Sequence, residues 1–306
     1  MRPVPLPVSA VVVNLDGGSL LDAALDALAG DEPAEILVVD NGSAPSETAR
    51  LSARPGIRLI PLGENRGFAA PSNLGVRESA APYVALVNND CVVEKGYLAA
   101  CAAALDADPA LAAVQGVVLD GAGTRVDGWG LGWNGRAEAI QLGRGEEPPP
   151  PGRPPFPVPG VSATAALYRR DAFLAAGGFA ESFFAWYEDA DLALRLTRGG
   201  ARFASVPSAR ARHEGTATGR RDPAARWRRL FTNRIRTLRR NVVPSAVPAL
   251  RSLRPGAGVS LGSAAADLGW PGALGAALAA SFAARRFSAE DLAVLAALPP
   301  LPELPS

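Results

Sequence analysis

The sequence predicts an α/β fold in which a mostly parallel central sheet is flanked by helices. Three observations carry that prediction. Short β-branched runs recur at Val8 to Asn14 (VSAVVVN), Glu35 to Asp40 (EILVVD) and Pro82 to Asn88 (PYVALVN), and continuous apolar runs of this length suit strands buried on both faces. Segments with helical spacing lie between them, the alternation expected of βαβ units. Polar residues gather where the runs end: Asn14 and Asp16, Asp40 and Asn41, then Asn88, Asn89 and Asp90. Ligands of open parallel sheets bind at such strand ends.

In chain order, Val8 to Asn14 is the first strand and Ser19 to Ala29 a helix, with Leu20, Leu21, Leu25 and Leu28 at helical intervals. Glu35 to Asp40 is a strand closed by the turn residues Asn41-Gly42-Ser43. A short helix over Ser46 to Ala53, a strand over Ile57 to Leu62, a helix covering Ser72 to Ser79 and the strand Pro82 to Asn88 continue the pattern. Lys95 to Ala107 reads as helix and Val114 to Leu119 as strand, followed by a hairpin around Asp127, Gly128, Trp129 and Trp133. Residues 146–160 (EEPPPPGRPPFPVPG) contain eight prolines, which forbid helix or central strand and favour an extended surface loop. That loop reads as a linker between lobes or as a mobile cover over the acceptor side of a cleft. Val161 to Tyr168 is then a strand, Asp171 to Ala176 a short helix ended by Gly177-Gly178, Glu188 to Arg198 a helix with an acidic first turn, and Arg202 to Val206 a short strand.

The 306 residues, 48% of them hydrophobic, supply a core for one large domain or two modest ones. A net charge of +1 gives no overall argument for a nucleic-acid partner. The charge is unevenly placed, however: Arg195 to Arg240 holds fourteen arginines against Glu214 and Asp222, a local +12. No G-x-G-x-x-G follows the first strand and no G-x-x-x-x-G-K-[ST] occurs, which sets aside dinucleotide enzymes and P-loop ATPases. Cys91 and Cys101 are too few for a disulfide framework and lack zinc-site spacing, so a reducing cytoplasm is the expected compartment. The apolar stretches near the start and over Val259 to Ala284 are broken by proline and polar residues and do not read as membrane spans.

Read in order, VVVN, VVDNGS, NRGFAAPSNLGV, LVNNDC, the segment Gly160 to Phe179, FFAWYEDADLALR and the lone His213 resemble the inverting family 2 glycosyltransferases of the GT-A nucleotide-diphosphosugar fold. The closest branch is that of bacterial rhamnosyltransferases and galactofuranosyltransferases. The resemblance covers about Val8 to Asn241 as a series of motifs with family-like intervals. It implies a GT-A domain over 1–241 and leaves 242–306, rich in Ala, Pro and Leu, as a C-terminal helical extension. It also implies transfer, with inversion, of a sugar from a UDP- or dTDP-sugar, rhamnose-type favoured, to a hydroxyl of a glycan or polyprenyl-linked acceptor in cell-surface polysaccharide synthesis. Weighed beside it are a sugar-1-phosphate nucleotidyltransferase, whose first loop is absent here, and a sugar-nucleotide-binding module without turnover.

By the same resemblance, Asp90 of Asn88-Asn89-Asp90 matches the last carboxylate of the family's D-x-D motif, with Asn88 in place of its first aspartate. With His213, the only histidine, it would hold Mn²⁺ or Mg²⁺. Asp189 resembles the catalytic base, with Glu188 as its rival and Asp191 as a helix residue supporting it through an arginine or backbone. Asp40 resembles the partner of the donor's pyrimidine imide, and Asn65-Arg66-Gly67 the family's N-x-G loop. Asn14, Asn41, Asn73, Asn88 and Asn89 complete the expected donor site. Arg220 to Arg240 interleaves arginine with Trp227, Leu230, Phe231, Ile235 and Leu238. It is expected either to pack on the domain or to hold the enzyme peripherally on the inner face of the plasma membrane.

Overall fold

A computed structural model describes residues 5–134, 138–215 and 223–241; the expected extension over 242–306 lies outside the described residues, as do 220–222 of the basic segment. Strand β1 (Leu6–Asn14) is followed by α1 (Gly18–Gly30), β2 (Pro33–Asp40), α2 (Pro45–Ser52), β3 (Arg58–Pro61), α3 (Ala69–Glu78) and β4 (Tyr83–Asn88). Next come β5 (Cys91–Val93), α4 (Tyr97–Ala107), β6 (Leu111–Asp120), β7 (Val126–Gly128), β8 (Leu131–Trp133), β9 (Ala139–Gln141) and β10 (Phe156–Val158). The chain continues through β11 (Ala165–Arg169), α5 (Arg170–Ala175), a 3₁₀ turn at Glu181–Phe183, α6 (Glu188–Arg198), β12 (Arg202–His213) and α7 (Pro223–Asn241).

The main sheet runs β10-β12-β6-β11-β4-β1-β2-β3, with β5 on β12 and β7 on β6. Its β4-β1-β2-β3 half is parallel. Its other half is mixed, because β11 lies antiparallel between β4 and β6 while β12 runs parallel to β6. An apolar run does not encode its direction, so the antiparallel β11 was not visible in the sequence. Strand side chains alternate between two cores. Val8, Ala10 and Val12 of β1, Ile36 and Val38 of β2, and Ala85 and Val87 of β4 face α1 and α4. Val11, Leu37, Val39, Val84 and Leu86 face α3, α5 and α6. Complete burial of each Val or Leu contributes about 1.5–3 kcal/mol, which is why these strands read as continuous apolar runs.

One predicted boundary and one predicted loop role are corrected. Strand β12 does not stop at Val206; its pairing with β6 steps from Val206↔Gly116 to Arg210↔Val117, and it continues to His213. Pro207, which has no N–H to give a ladder, falls in that bulge. The proline-rich loop is no linker between lobes. It contains the edge strand β10 on β12, with Arg153 over Phe156 at 4.2 Å, Trp129 edge-on to Phe156, and Arg210 donating to the Pro149 carbonyl at 2.7 Å.

Candidate active site

The carboxyl ends of β1, β2 and β4 meet the N-termini of α1 and α3 and the loop before α6. At the end of β1, buried Asn14 receives hydrogen bonds from the Gly17 amide (3.1 Å) and from Asn89 (3.2 Å), and donates to Asp40 (3.3 Å) and Ser43 (3.1 Å). Asp40 is fixed further by the hydroxyls of Ser43 and Thr48. Asn41 donates to the Gly67 carbonyl at 2.6 Å and to Asn65 Oδ1 at 3.2 Å, and accepts from the Arg66 amide at 2.8 Å. The Asn41 amide donates to the Asn14 carbonyl at 2.8 Å, so Asn14, Asp40, Asn41, Asn65, Gly67 and Asn89 form one connected network. The Arg66 side chain leaves it, pairing with Glu64 and standing 53% exposed.

Asn73 is placed differently from the expectation of a donor contact. Its side chain donates to the Phe179 carbonyl and accepts from the Phe179 amide, both at 2.8 Å. It is a buried brace for the turn after α5. The sequence could not distinguish these roles, since the asparagine's partner lies 106 residues away.

The second cluster assembles at β5 and the end of β12. Their pairing sets His213 opposite Cys91, and the Glu214 amide donates to the Asp90 carbonyl at 3.1 Å. His213 Nε2 is thereby brought within 3.2 Å of Asp90 Oδ1 and 3.4 Å of Asn88 Nδ2. Its Nδ1 lies 2.8 Å from Asp127 Oδ2. Burial disfavours the imidazolium, but the hydrogen bonds to Asp127 and Asp90 outweigh it and raise the pKa to about 9. Asp127 is held below the usual aspartate range: burial would raise it, and His213 and Arg144 prevail. From the sequence Asp127 reads only as a turn residue, because nothing in the chain between positions 127 and 213 announces their contact. Among the described residues no group of three or more His, Cys, Asp or Glu side chains is arranged to hold a metal. Asp90 and His213 would supply two ligands, leaving the rest of a coordination shell to phosphate and water. The half-buried imidazole, with Nδ1 held by Asp127, fits that use once a cation displaces the Nε2 proton that otherwise goes to Asp90.

The third cluster opens α6. Asp189 is half-buried, accepting from the amides of Ala190 (2.8 Å) and Ala163 (3.3 Å). Burial raises its pKa against those hydrogen bonds. Glu188 is buried, its Oε2 has no hydrogen-bond partner, and desolvation together with the neighbouring Asp189 charge pushes its pKa well up. Asp191 is fully buried and binds Arg195 at 2.9 Å and Asn241 at 2.9 Å. It therefore braces α6 against α7 rather than facing a cleft, which corrects its grouping with the catalytic pair while agreeing with the arginine contact expected of it.

Ahead of Glu188, the residues Phe184, Trp186 and Tyr187 have φ of 64°, 66° and 72°. Left-handed conformations in bulky residues cost on the order of 1–3 kcal/mol each. They persist because their surroundings hold them. The Phe184 carbonyl accepts from the amides of Phe68 (2.5 Å) and Ala69 (3.1 Å) at the start of α3. Gly67 (φ 81°) makes that approach feasible, as a Cβ there would lie 2.6 Å from Phe184 Cγ.

The model of the family described as "Glycosyl transferase family 2" matches residues 9–175, the part of the chain that contains all three strand ends and Asp90. The chain belongs to glycosyl transferase family 2. Among curated relatives, the N-acetylglucosaminyl-diphospho-decaprenol L-rhamnosyltransferase of Mycobacterium tuberculosis is 29% identical over 249 residues, 72% of this chain and 79% of that protein. Among solved structures, the mannosyltransferase PcManGT of Pyrobaculum calidifontis, in complex with GDP-Man and Mn²⁺, superposes with a TM-score of 0.53 at 20% identity over 96% of this chain and 81% of that one. GalNAc-T7 with UDP, GalNAc and Mn²⁺ gives a TM-score of 0.59 at 15% identity over 76% and 48%. This family 2 chain thus has the GT-A fold and is a glycosyltransferase.

Proposed function

We propose that this glycosyltransferase moves a sugar from a UDP- or dTDP-sugar to a hydroxyl of a polyprenyl-linked or glycan acceptor, with inversion at the anomeric carbon and rhamnose-type donors favoured. The observation that carries the reading is the pairing of a half-buried, amide-held Asp189 with a separate Asp90–His213 pair at the same end of the sheet, where the Ala163 amide donates to Asp189 and the Asn88 amide to the Thr164 carbonyl. Inverting transfer needs a base on the acceptor and a counterion for the leaving diphosphate, and it needs them to be different groups. The mycobacterial rhamnosyltransferase, named for a decaprenol-linked acceptor, supports the choice of donor and acceptor class.

In this mechanism Asp40 accepts the pyrimidine imide hydrogen, held in place by Asn14, Ser43 and Thr48. Asn41 and Asn65 shape the Gly67 loop so that backbone approaches the donor closely. Asp90 and His213 would hold Mn²⁺ or Mg²⁺, which when bound supplies positive charge to the diphosphate. Asp127 keeps the His213 ring oriented, and Asn88 adds an amide beside it. The Asp189 carboxylate takes the acceptor hydroxyl proton as its oxygen attacks, while burial and the Asp189 charge make Glu188 hold its proton more readily than an exposed glutamate and so weaken a competing negative charge. At α7, contact with an anionic membrane is reduced to charge, since Trp227, Leu230, Phe231, Ile235 and Leu238 are all buried. Among the described residues no helix is long and apolar enough to cross a membrane. Calorimetry with UDP-, dTDP- and GDP-sugars in Mn²⁺, followed by determination of the product's anomeric configuration, tests the reading. Binding of GDP-sugars alone, or a product of retained configuration, overturns it.

A further inference from the structure

The segment that delivers the base is held by one side chain from a distant helix. Asn233, on the buried face of α7, is 1% exposed. Its Nδ2 donates to the carbonyls of Phe183 (2.9 Å), Ala185 (2.8 Å) and Trp186 (2.8 Å). An amide nitrogen has two hydrogens, so three acceptors converge on it and at least one bond is shared. The intervening Phe184 carbonyl goes to the α3 amides of Phe68 and Ala69, and the Tyr187 carbonyl to the amide of Asp191 within α6. Every carbonyl from 183 to 187 is thus occupied, three of them by Asn233. The neighbouring residues of α7 reinforce the grip: Arg229 lies over the Phe184 ring at 4.2 Å, and Arg236 donates to the Ser182 carbonyl at 2.6 Å. Three left-handed, bulky residues in four positions would not keep this shape unaided.

We propose that Asn233 is a positioning residue for the transfer reaction: it holds the left-handed 184–187 segment so that Asp189 and the Gly67 donor loop stay in fixed register. The proposal rests on the assignment of Asp189 as base. Asn233 touches neither substrate nor base. It acts through the carbonyls of Phe183, Ala185 and Trp186, which fix where α6 begins, and through Phe184, which ties the same segment to the donor loop.

The test uses the full chain with Asn233→Asp, which keeps size but turns acceptor oxygens toward three carbonyls, and Asn233→Ser, which keeps one donor. Each is compared with wild type by single-turnover transfer, donor titration and amide hydrogen exchange, all well below its unfolding temperature. Displacement of a positioned group by a fraction of an ångström to an ångström lowers rates by roughly 10- to 100-fold. The expected result is a loss of that size for Asn233→Asp and a smaller one for Asn233→Ser, with donor affinity near wild type. Exchange should quicken at 184–191 and at 68–69, and not in β1 or α1. If Asn233→Asp does not fold, Asn233→Ser carries the same expectations. A variant with a lowered unfolding temperature but wild-type transfer and unchanged exchange at 184–191 overturns the proposal. Absence of transfer by the wild type with every donor would instead refute the proposed reaction, while the exchange pattern would still report on Asn233.

Discussion

Asp189 and Glu188 are adjacent carboxyl groups with opposite assignments, and their surroundings account for the difference. Asp189 is half-buried with two amide donors, whereas Glu188 is buried with one oxygen unpartnered. A base must be ionised to act, and burial lifts Asp189 above the ordinary aspartate value of 3.8. The pH–rate profile of transfer should therefore climb with an inflection above that value; a profile already flat from about pH 4 upward would contradict the assignment. Asp127 carries a separate expectation. In Asp127→Asn the amide can donate to His213 Nδ1 and force the proton onto Nε2, leaving no lone pair for a cation. Loss of such an outer partner lowers metal affinity by roughly 10- to 100-fold. Mn²⁺ titration followed by electron paramagnetic resonance in the presence of UDP should register that loss, and an unchanged affinity would remove Asp127 from the site.

Helix α6 joins these groups to the rest of the fold, and two substitutions on it should act in opposite directions. Between 4.5, the ordinary glutamate value, and its raised value in the fold, Glu188 keeps a proton in the native state that it loses in the unfolded chain. The sign is then fixed: this group's contribution to stability is complete below 4.5 and is lost as pH rises through the native value. Glu188→Gln cannot lose a proton, so its unfolding temperature should exceed that of wild type at pH about 8 and approach it near pH about 4. Equal temperatures at both pH values would show that Glu188 is not a buried acid. Asp191→Ala does the reverse. It strands Arg195 and Asn241 at the α6–α7 contact, and breaking a buried pair costs about 3–5 kcal/mol. Thermal unfolding should show a drop of many degrees; a change of a degree or less would mean that solvent replaces the carboxylate. The acidic first turn, which follows from the helix dipole, made α6 legible residue for residue. Strand β12 was legible only as far as Val206, because the sequence carries the break at Pro207 but not the β6 and β5 partners that restart the strand.

Over the whole molecule, the parallel half of the sheet and its ligand-bearing strand ends were visible because buried strands and turn residues leave local patterns. Asn233, Asp127 and the bracing role of Asn73 were not, since each acts on residues more than 40 positions away. The arginine-rich helix shows the same limit. From the sequence its stripe fits a helix packed on the domain or, as the alternative, a lipid surface, and the fold places Trp227, Leu230 and Phe231 in a core with Phe183, Tyr187 and Ala190. Attraction to anionic vesicles should consequently be weakened by Arg228→Glu, an exposed position, and disappear as salt shortens the screening length to about 3 Å near 1 M. Sedimentation that persists at that salt would require an apolar insertion this helix does not offer. The central claim, that the Asp189 carboxylate removes the acceptor proton in an inverting sugar transfer, is tested most directly by single-turnover transfer at saturating donor in Asp189→Asn, with Glu188→Gln alongside. Asp189→Asn should lose roughly two orders of magnitude or more in rate while binding donor as wild type does, and Glu188→Gln should lose far less. A substantially active Asp189→Asn beside an inactive Glu188→Gln would contradict the account.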